Sequence, residues 1–294
     1  MNILADYQEQ IDGNLYKSIN SFGPKTILRD AIEYAFKNGG KRLRPAIVHM
    51  ISEMIDCKID VTDSALAVEY FHTASLIADD LPCMDNDDQR RELPSLHKVY
   101  GESTAILATY SLISAGYDRI RLNGEKLNNP SLISIAIENV AFNTGILGAT
   151  GGQYADLFPS QWTEAVILDV IDKKTGTLFE IAFVLGWIFG GGDLSLLKWV
   201  KQAACHFGRA FQISDDFVDL FEDKENKKIP SLIGFEKAAY LLTDELSHFQ
   251  EVLQKLTFNT SKLLSLSALI ENQLATTPAA SFFRFKSSPT FAES

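Results

Sequence analysis

Apolar residues recur at i, i+3 and i+4 along most of the chain, and no convincing run of strict alternation appears. The spacing predicts helices over 26–38, 42–56, 61–81, 96–122, 130–157, 163–190, 193–221, 231–257 and 260–274. Gly39-Gly40, Asn123-Gly124 and Gly190-Gly191-Gly192 read as helix stops, with Asp193 as the next N-cap. The stretches 132–149 and 178–189 are apolar on more than one side, which predicts helices in the middle of a bundle. No linker rich in Pro, Gly or Ser interrupts the pattern before the tail TTPAASFFRFKSSPTFAES. The expectation is one all-α domain over 1–294, a single large bundle of long helices, with a loosely ordered tail from about 277.

Composition narrows the partners. The 294 residues carry a formal net charge of -11, so nucleic acid is not a general partner. Cys57, Cys83 and Cys205 are odd in number and form no CxxC, which suits a reduced compartment without structural disulfides or zinc. Asp6 and Glu9 stand where a signal peptide needs a basic start, and IAFVLGWIFGGG (181–192) is too short to span a bilayer. A cytoplasmic protein with no membrane span is expected.

Charge clusters supply the candidate chemistry. The segment DDLPCMDNDDQRR, residues 79–91, holds five carboxylates and two arginines at the end of an apolar helix. A second acidic group, DDFVD, contains Asp215, Asp216 and Asp219, each group following an isoleucine. Asp215 and Asp219 lie about 40° apart around a helix and share a face. Like charges at that spacing favour a bridging cation, and hard oxygen ligands suit Mg²⁺. A solvated acidic helix end explains one such motif as well, but two are harder to dismiss. Asp79 and Asp85 fall about 120° apart on a regular helix, so a bulge at Leu81–Met84, forced by Pro82, is expected to bring them together.

GGKRLRP (39–45), Arg90, Arg91 and KKTGTLFE (173–180) add cations that fit a polyphosphate ligand, although GGKRLRP alone is more often a solvated loop. It lacks P-loop spacing. Glu69-x-x-His72 has the spacing of a di-iron carboxylate motif, yet no second copy exists. By itself His72 reads as a core histidine.

GGKRLRP (39–45), HTASLIADDLPCMDNDDQRR (72–91), HKVYGESTAILA (97–108), GGQYADL (151–157), KTGTLFE (174–180) and FQISDDFVD (211–219) occur in one order. In these six blocks the chain resembles the short-chain trans-prenyl diphosphate synthases, from about residue 26 to 257. The resemblance implies helices around a central catalytic cavity, a homodimer, and three Mg²⁺ per active site. It implies head-to-tail (1'-4) condensation of isopentenyl diphosphate with an allylic diphosphate. Carried over by position, Asp79, Asp85 and Asp215 bind metal, with Asp80, Asp216 and Asp219 in support through water. Lys41, Arg44, His72 and Arg91 take isopentenyl diphosphate, and Arg90, Lys174 and Gln212 take the allylic diphosphate with Thr175 nearby. In the family mechanism the isopentenyl double bond attacks an allylic cation, and the departed diphosphate removes the proton. An apolar cavity keeps water from the cation.

Three departures stand out. The loop FEDKENKKIPSLIG (221–234) lacks the family's glycine-lysine step, for which Lys224, Lys227 or Lys228 is the expected substitute. Glu92 replaces a usual glycine and Ala78 a common histidine. Five residues before Asp79, where the family sets its cavity floor, stands Ala74, followed by Ser75. An open floor there favours a geranylgeranyl product, with farnesyl as the runner-up. A terpene cyclase and a catalytically silent partner subunit are the rival readings.

Overall fold

The computed structural model describes residues 4–55, 59–222, 229–256 and 258–275. It is all-α apart from one short hairpin. The helices are α1 (Ala5–Ser18), α2 (Ile27–Lys37), α3 (Leu43–Met54), α4 (Thr62–Asp79), α5 (Leu96–Tyr100), α6 (Glu102–Lys126) and α7 (Pro130–Thr144). They continue as α8 (Ala149–Leu157), α9 (Glu164–Val170), α10 (Thr177–Phe189), α11 (Leu197–Glu222), α12 (Ile229–Ile233), α13 (Phe235–Leu253) and α14 (Ser261–Ala275).

The centre is α10. From Leu178 to Phe189 every side chain except Glu180 is buried, as an all-round apolar sequence requires. It packs against α3, α4, α7 and α11. Gly186 lets α10 touch the backbone of α3, because a Cβ there would sit 2.9 Å from the Val48 carbonyl oxygen. Phe179, Phe183, Phe207 and Phe249 stack edge and tilt through the interior between α10, α11 and α13.

Several expectations are corrected. The stretch 132–149 does not lie in the middle. On α7 only Ala136, Asn139, Val140 and Asn143 are buried, while Phe142, Ile146 and Leu147 are 55, 80 and 62% exposed. Asn123-Gly124 is no stop. Both residues are buried inside α6, and Asn123 Oδ1 accepts from the backbone N–H and hydroxyl of Ser64 in the first turn of α4. Asn123 therefore caps a neighbouring helix and does not end its own. The run 96–122 breaks at Gly101, whose φ of 81° suits glycine. The run 130–157 breaks between Thr144 and Ala149. The sequence reading missed α1, whose buried stripe is only Tyr7, Ile11, Leu15 and Ser18. It also missed the two-residue strands β1 (Gln89–Arg90) and β2 (Leu93–Pro94), too short to show a period. Gly39-Gly40 and the Asp193 cap hold as expected: Asp193 Oδ1 accepts from the Ser195 N–H at 2.8 Å. Among the described residues Cys83 and Cys205 are free thiols. Lys224, Lys227, Lys228, Cys57 and the tail lie outside the described residues.

Candidate active site

The first acidic cluster sits where α4 ends. The helix stops at Asp79, and Pro82 prevents its continuation. The chain then folds back in a turn in which the N–H groups of Met84 and Asn86 donate to Leu81 and that of Asp85 donates to the Asp79 carbonyl at 2.9 Å. Asp85 thus returns beside Asp79, as the spacing predicted. The device is a helix terminus with a recurved turn, where the sequence suggested a local bulge at Leu81–Met84.

Asp79 is half-buried, and burial pushes its carboxyl up to about 7, with Asp85 adding to the rise and Lys174 opposing it. Asp215 on α11 behaves alike: burial lifts it to about 6, Lys41 opposes, and Asp219 one turn on contributes. Both carboxylates are therefore short of positive charge. Among the described residues no three acidic, histidine or cysteine side chains converge into a complete metal site. Mg²⁺ suits such a donor set, since it binds through one or two carboxylates and takes its other ligands from water and substrate phosphate. Asp79, Asp85 and Asp215 are residues that would hold it.

Three adjoining cavities connect the two acidic groups. A polar one of about 690 Å³ is lined by Lys41, Arg44, His72, Arg90, Arg91 and Asp215, among others. An apolar one of about 450 Å³ runs along α4 past Asp79, Ala78, Ser75 and Ala74 to Phe71. A third, of about 400 Å³, lies between them: it shares Gln212 with the first and Lys174 with the second.

The polar cavity is floored by the GGKR loop. Gly40 has φ 135°, which disfavours any side chain, and a Cβ on it would also lie 2.4 Å from the Arg91 guanidinium and displace it. Arg91 donates to the Gly39 carbonyl. Arg44 lies 4.3 Å over the Phe179 ring, and burial pushes its guanidinium down to about 10. Burial and the surrounding guanidinium groups of Arg44, Arg91, Arg42 and Arg90 hold His72 well below the ordinary histidine value, and its Nδ1 has no hydrogen-bond partner. Such a site is rich in cation donors with few acceptors, which fits an anion. Glu69 does not pair with His72 in a metal site; it accepts from Arg42 at 2.5 Å.

Two predicted carboxylates are already engaged in the protein. Asp80 is buried and accepts from Arg90 Nε at 2.9 Å. Asp216 accepts from Gln212 Nε2 at 2.8 Å and from the Ile229 N–H at 2.9 Å, anchoring the start of α12. These two aspartates position Arg90, Gln212 and α12, and Asp216 also lines the third cavity. Thr175 donates to Gln212 Oε1 at 2.6 Å. Lys174 donates to Asp156 at 2.5 Å and stands 3.9 Å from Asp85, which also accepts from Gln153 at 3.4 Å.

Sequence reasoning missed three contributors and marked a fourth, Arg42, only as one of the cations of GGKRLRP. Gln153 and Asp156 lie in GGQYADL, one of the recognised blocks, and their i, i+3 pairing of polar types was the available signal. Arg42, in GGKR, is the buried anchor of the loop. Gln8 on α1 reaches the Gly40 carbonyl at 2.9 Å, and nothing in the sequence marked it.

A model of the polyprenyl synthetase family matches residues 25–270. The chain belongs to the polyprenyl synthetase family. It is 34% identical over 263 residues to a chloroplastic geranylgeranyl pyrophosphate synthase of Capsicum annuum, covering 83% of this chain and 70% of that protein. It is 30% identical over 286 residues to the farnesyl diphosphate synthase of Bacillus subtilis, covering 92% and 96%. Among solved structures it is similar to a geranyltransferase from Legionella pneumophila, with TM-score 0.84, 27% identity and coverage of 92% and 96%. This polyprenyl synthetase is therefore a prenyltransferase of the geranylgeranyl or farnesyl diphosphate synthase type, performing short-chain trans-prenyl diphosphate condensation.

Proposed function

We propose that this prenyltransferase makes geranylgeranyl diphosphate, with farnesyl diphosphate as the second reading. The observation that carries the choice is the apolar cavity along α4. Ala74 and Ser75 line its wall and leave it open, and Phe71 stands deeper. Eight residues of helix separate Phe71 from Asp79, about 12 Å of rise, against about 7.5 Å for Ala74. Phe71 is braced edge-on by Tyr117 at 5.4 Å. A growing chain with its diphosphate at Asp79 meets an aromatic floor one turn lower than an aromatic at position 74 would place it.

In this reading Lys41, Arg44, His72 and Arg91 hold isopentenyl diphosphate in the polar cavity. Arg90, Lys174 and Gln212 orient the allylic diphosphate, with its tail in the apolar cavity. Three Mg²⁺ bound by Asp79, Asp85 and Asp215 would neutralise the charge that develops on the leaving diphosphate. Lys174 and Arg90 add cationic hydrogen bonds to the same group. The oxygens of Thr175 and Gln212 face the positive charge left on the allylic carbon. The apolar wall excludes water from it. No side-chain base is required, because the departed diphosphate accepts the proton.

A homodimer belongs to the same proposal. Pro130–Leu157 has the length and composition of a bilayer span, but only 28% of its most apolar window is buried and the helix breaks after Thr144. Leu107 and Tyr110 on α6 are exposed as well, so the apolar face extends across two elements. A second copy of this chain is the occupant we assign to it.

The test is incubation of purified protein with Mg²⁺, isopentenyl diphosphate and dimethylallyl, geranyl or farnesyl diphosphate. A C20 diphosphate is expected. A product ending at C15 selects the farnesyl reading. Hydrocarbon formed without isopentenyl diphosphate would identify a cyclase, and no turnover with any primer a silent subunit.

A further inference from the structure

Between α9 and α10 the chain makes a π-helical turn, Ile171–Gly176, which carries Lys174 and Thr175. A π-turn holds an extra residue per turn and tends to be found at functional sites. It persists only where its surroundings over-determine it. Here the surroundings are specific. Gly152 of α8 lies against the turn so closely that a Cβ would sit 2.4 Å from the Lys174 nitrogen. Gly208 of α11 meets Gly176, with a Cβ position 2.9 Å from its Cα. The Thr177 hydroxyl donates to the Lys173 carbonyl at 2.5 Å.

The remaining support comes from one side chain outside all the cavities described above. Arg209 of α11 donates Nε to Asp172 Oδ1 at 2.6 Å and Nη2 to Oδ2 at 2.7 Å, a two-pronged fork. Its third nitrogen donates to Glu245 Oε1 at 3.0 Å. Glu245 is buried on α13, and His206 Nδ1 lies 2.6 Å from its other oxygen. The fork is thus tied to a second helix. Three residues further along α11, Gln212 accepts from Thr175, three residues beyond Asp172. Helix α11 therefore holds the turn at two points, outside through Arg209–Asp172 and inside through Gln212–Thr175.

We propose that Arg209 is a positioning residue for prenyl transfer: by holding Asp172 it fixes the π-turn and hence Lys174 and Thr175 at the allylic diphosphate. This rests on the reading of Lys174 and Thr175 given above. A surface ion pair contributes little and would leave the kinetics unchanged. A bidentate fork anchored on a buried carboxylate restrains the backbone it holds.

The experiment compares the full-length protein with R209Q, R209K and D172N. Two readouts are taken: steady-state kinetics for each diphosphate, and amide hydrogen exchange of peptides covering 171–177 and 72–80. R209Q should lower kcat/KM for the allylic diphosphate about 10- to 100-fold, the cost of a displacement near 1 Å. The KM for isopentenyl diphosphate should stay within twofold, and exchange should quicken over 171–177 but not over 72–80. R209K, which can make one bond to Asp172, should recover part of the loss. If R209Q does not fold, D172N is read by the same criteria. Kinetics within twofold of wild type would overturn the proposal, and so would an equal loss for both substrates. Should the wild type condense nothing, the functional reading falls. The exchange data then decide the clamp alone, unchanged exchange over 171–177 counting against it.

Discussion

Asp85 closes the end of α4 by donating its backbone N–H to the carbonyl of Asp79 at 2.9 Å. The bond places two carboxylates side by side at the mouth of an apolar cavity, an arrangement that strains the free protein. Asp79, pushed up to about 7 by burial, is favourable to folding when protonated. Its contribution is complete below the ordinary carboxylate value near 4 and is lost as pH rises through about 7. Asp79→Asn has no charge to bury. At pH 8 its Tm should exceed that of the metal-free wild type by at least about 2 °C, and the gap should narrow by pH 5.5. Its activity should fall about 100-fold or more. Mg²⁺ with inorganic pyrophosphate should raise the wild-type Tm at pH 8 and leave that of the variant nearly unchanged. Thermal melts at the two pH values check this.

The cavity floor gives a product-length series. Ala74→Phe should shorten the main product to C15, and Phe71→Ala should extend it beyond C20. Gly116→Ala tests the brace: an added Cβ would lie 2.6 Å from the Phe71 ring, forcing it toward the cavity and shortening the product. Chromatography of the dephosphorylated products reads each outcome. An unchanged product from both Ala74→Phe and Phe71→Ala would place the floor elsewhere.

Arg42 is 4% exposed and donates to Glu69 at 2.5 Å, Asp12 at 2.7 Å and the Phe36 carbonyl at 2.6 Å. Arg42→Ala leaves Glu69 buried without its partner, which should cost about 3–5 kcal/mol in denaturant unfolding. Adding Glu69→Gln should restore part of that loss. Arg42→Ala should also raise the KM for isopentenyl diphosphate, because Arg42 holds the junction between the loop that carries Lys41 and the start of α3, which carries Arg44.

Arg91 and Glu92 have φ of 53° and 67°, the left-handed pair of a type I′ hairpin between β1 and β2. This explains why a glycine is usual at position 92. Glu92→Gly relieves the side-chain clash but loosens the unfolded chain. The net effect should be a gain of up to about 1 kcal/mol, with KM for isopentenyl diphosphate unchanged or lower. Unfolding in urea and initial rates check both parts.

Light scattering tests the exposed apolar face formed by α7 and the turn that follows it. The wild type should have the mass of two chains, and Leu147→Glu should have the mass of one. A wild-type monomer at micromolar concentration would remove the homodimer from the proposal.

Much of the site was legible because it is local. Pro82 between two aspartates announces a break, and a recurved turn is what brings Asp85 to Asp79. The blocks around Lys41, Lys174 and Asp215 combine cations and carboxylates in a way that fits an anion and its counter-ions. Other features had no local trace. The buried stripe of α1 is narrow, so Gln8 went unseen. Asn123-Gly124 has the composition of a turn, but its amide is used to cap α4 across the bundle. The apolar sequence of 132–149 predicts burial, yet in this chain much of that surface is exposed.

The sequence by itself determined the helical class and the two acidic clusters, because periodicity and residue type are properties read along the chain, and the resemblance in its six blocks implied the family chemistry. Only the tertiary structure decided that Asp79, Asp85, Asp215 and Asp216 line the cavities and that Asp80 and Asp216 hold Arg90, Gln212 and α12. It also decided that Phe71 lines the apolar cavity and that Arg209 reaches the π-turn. Burial, pairing and strain depend on neighbours from distant parts of the chain, and those neighbours exist only once the helices have packed.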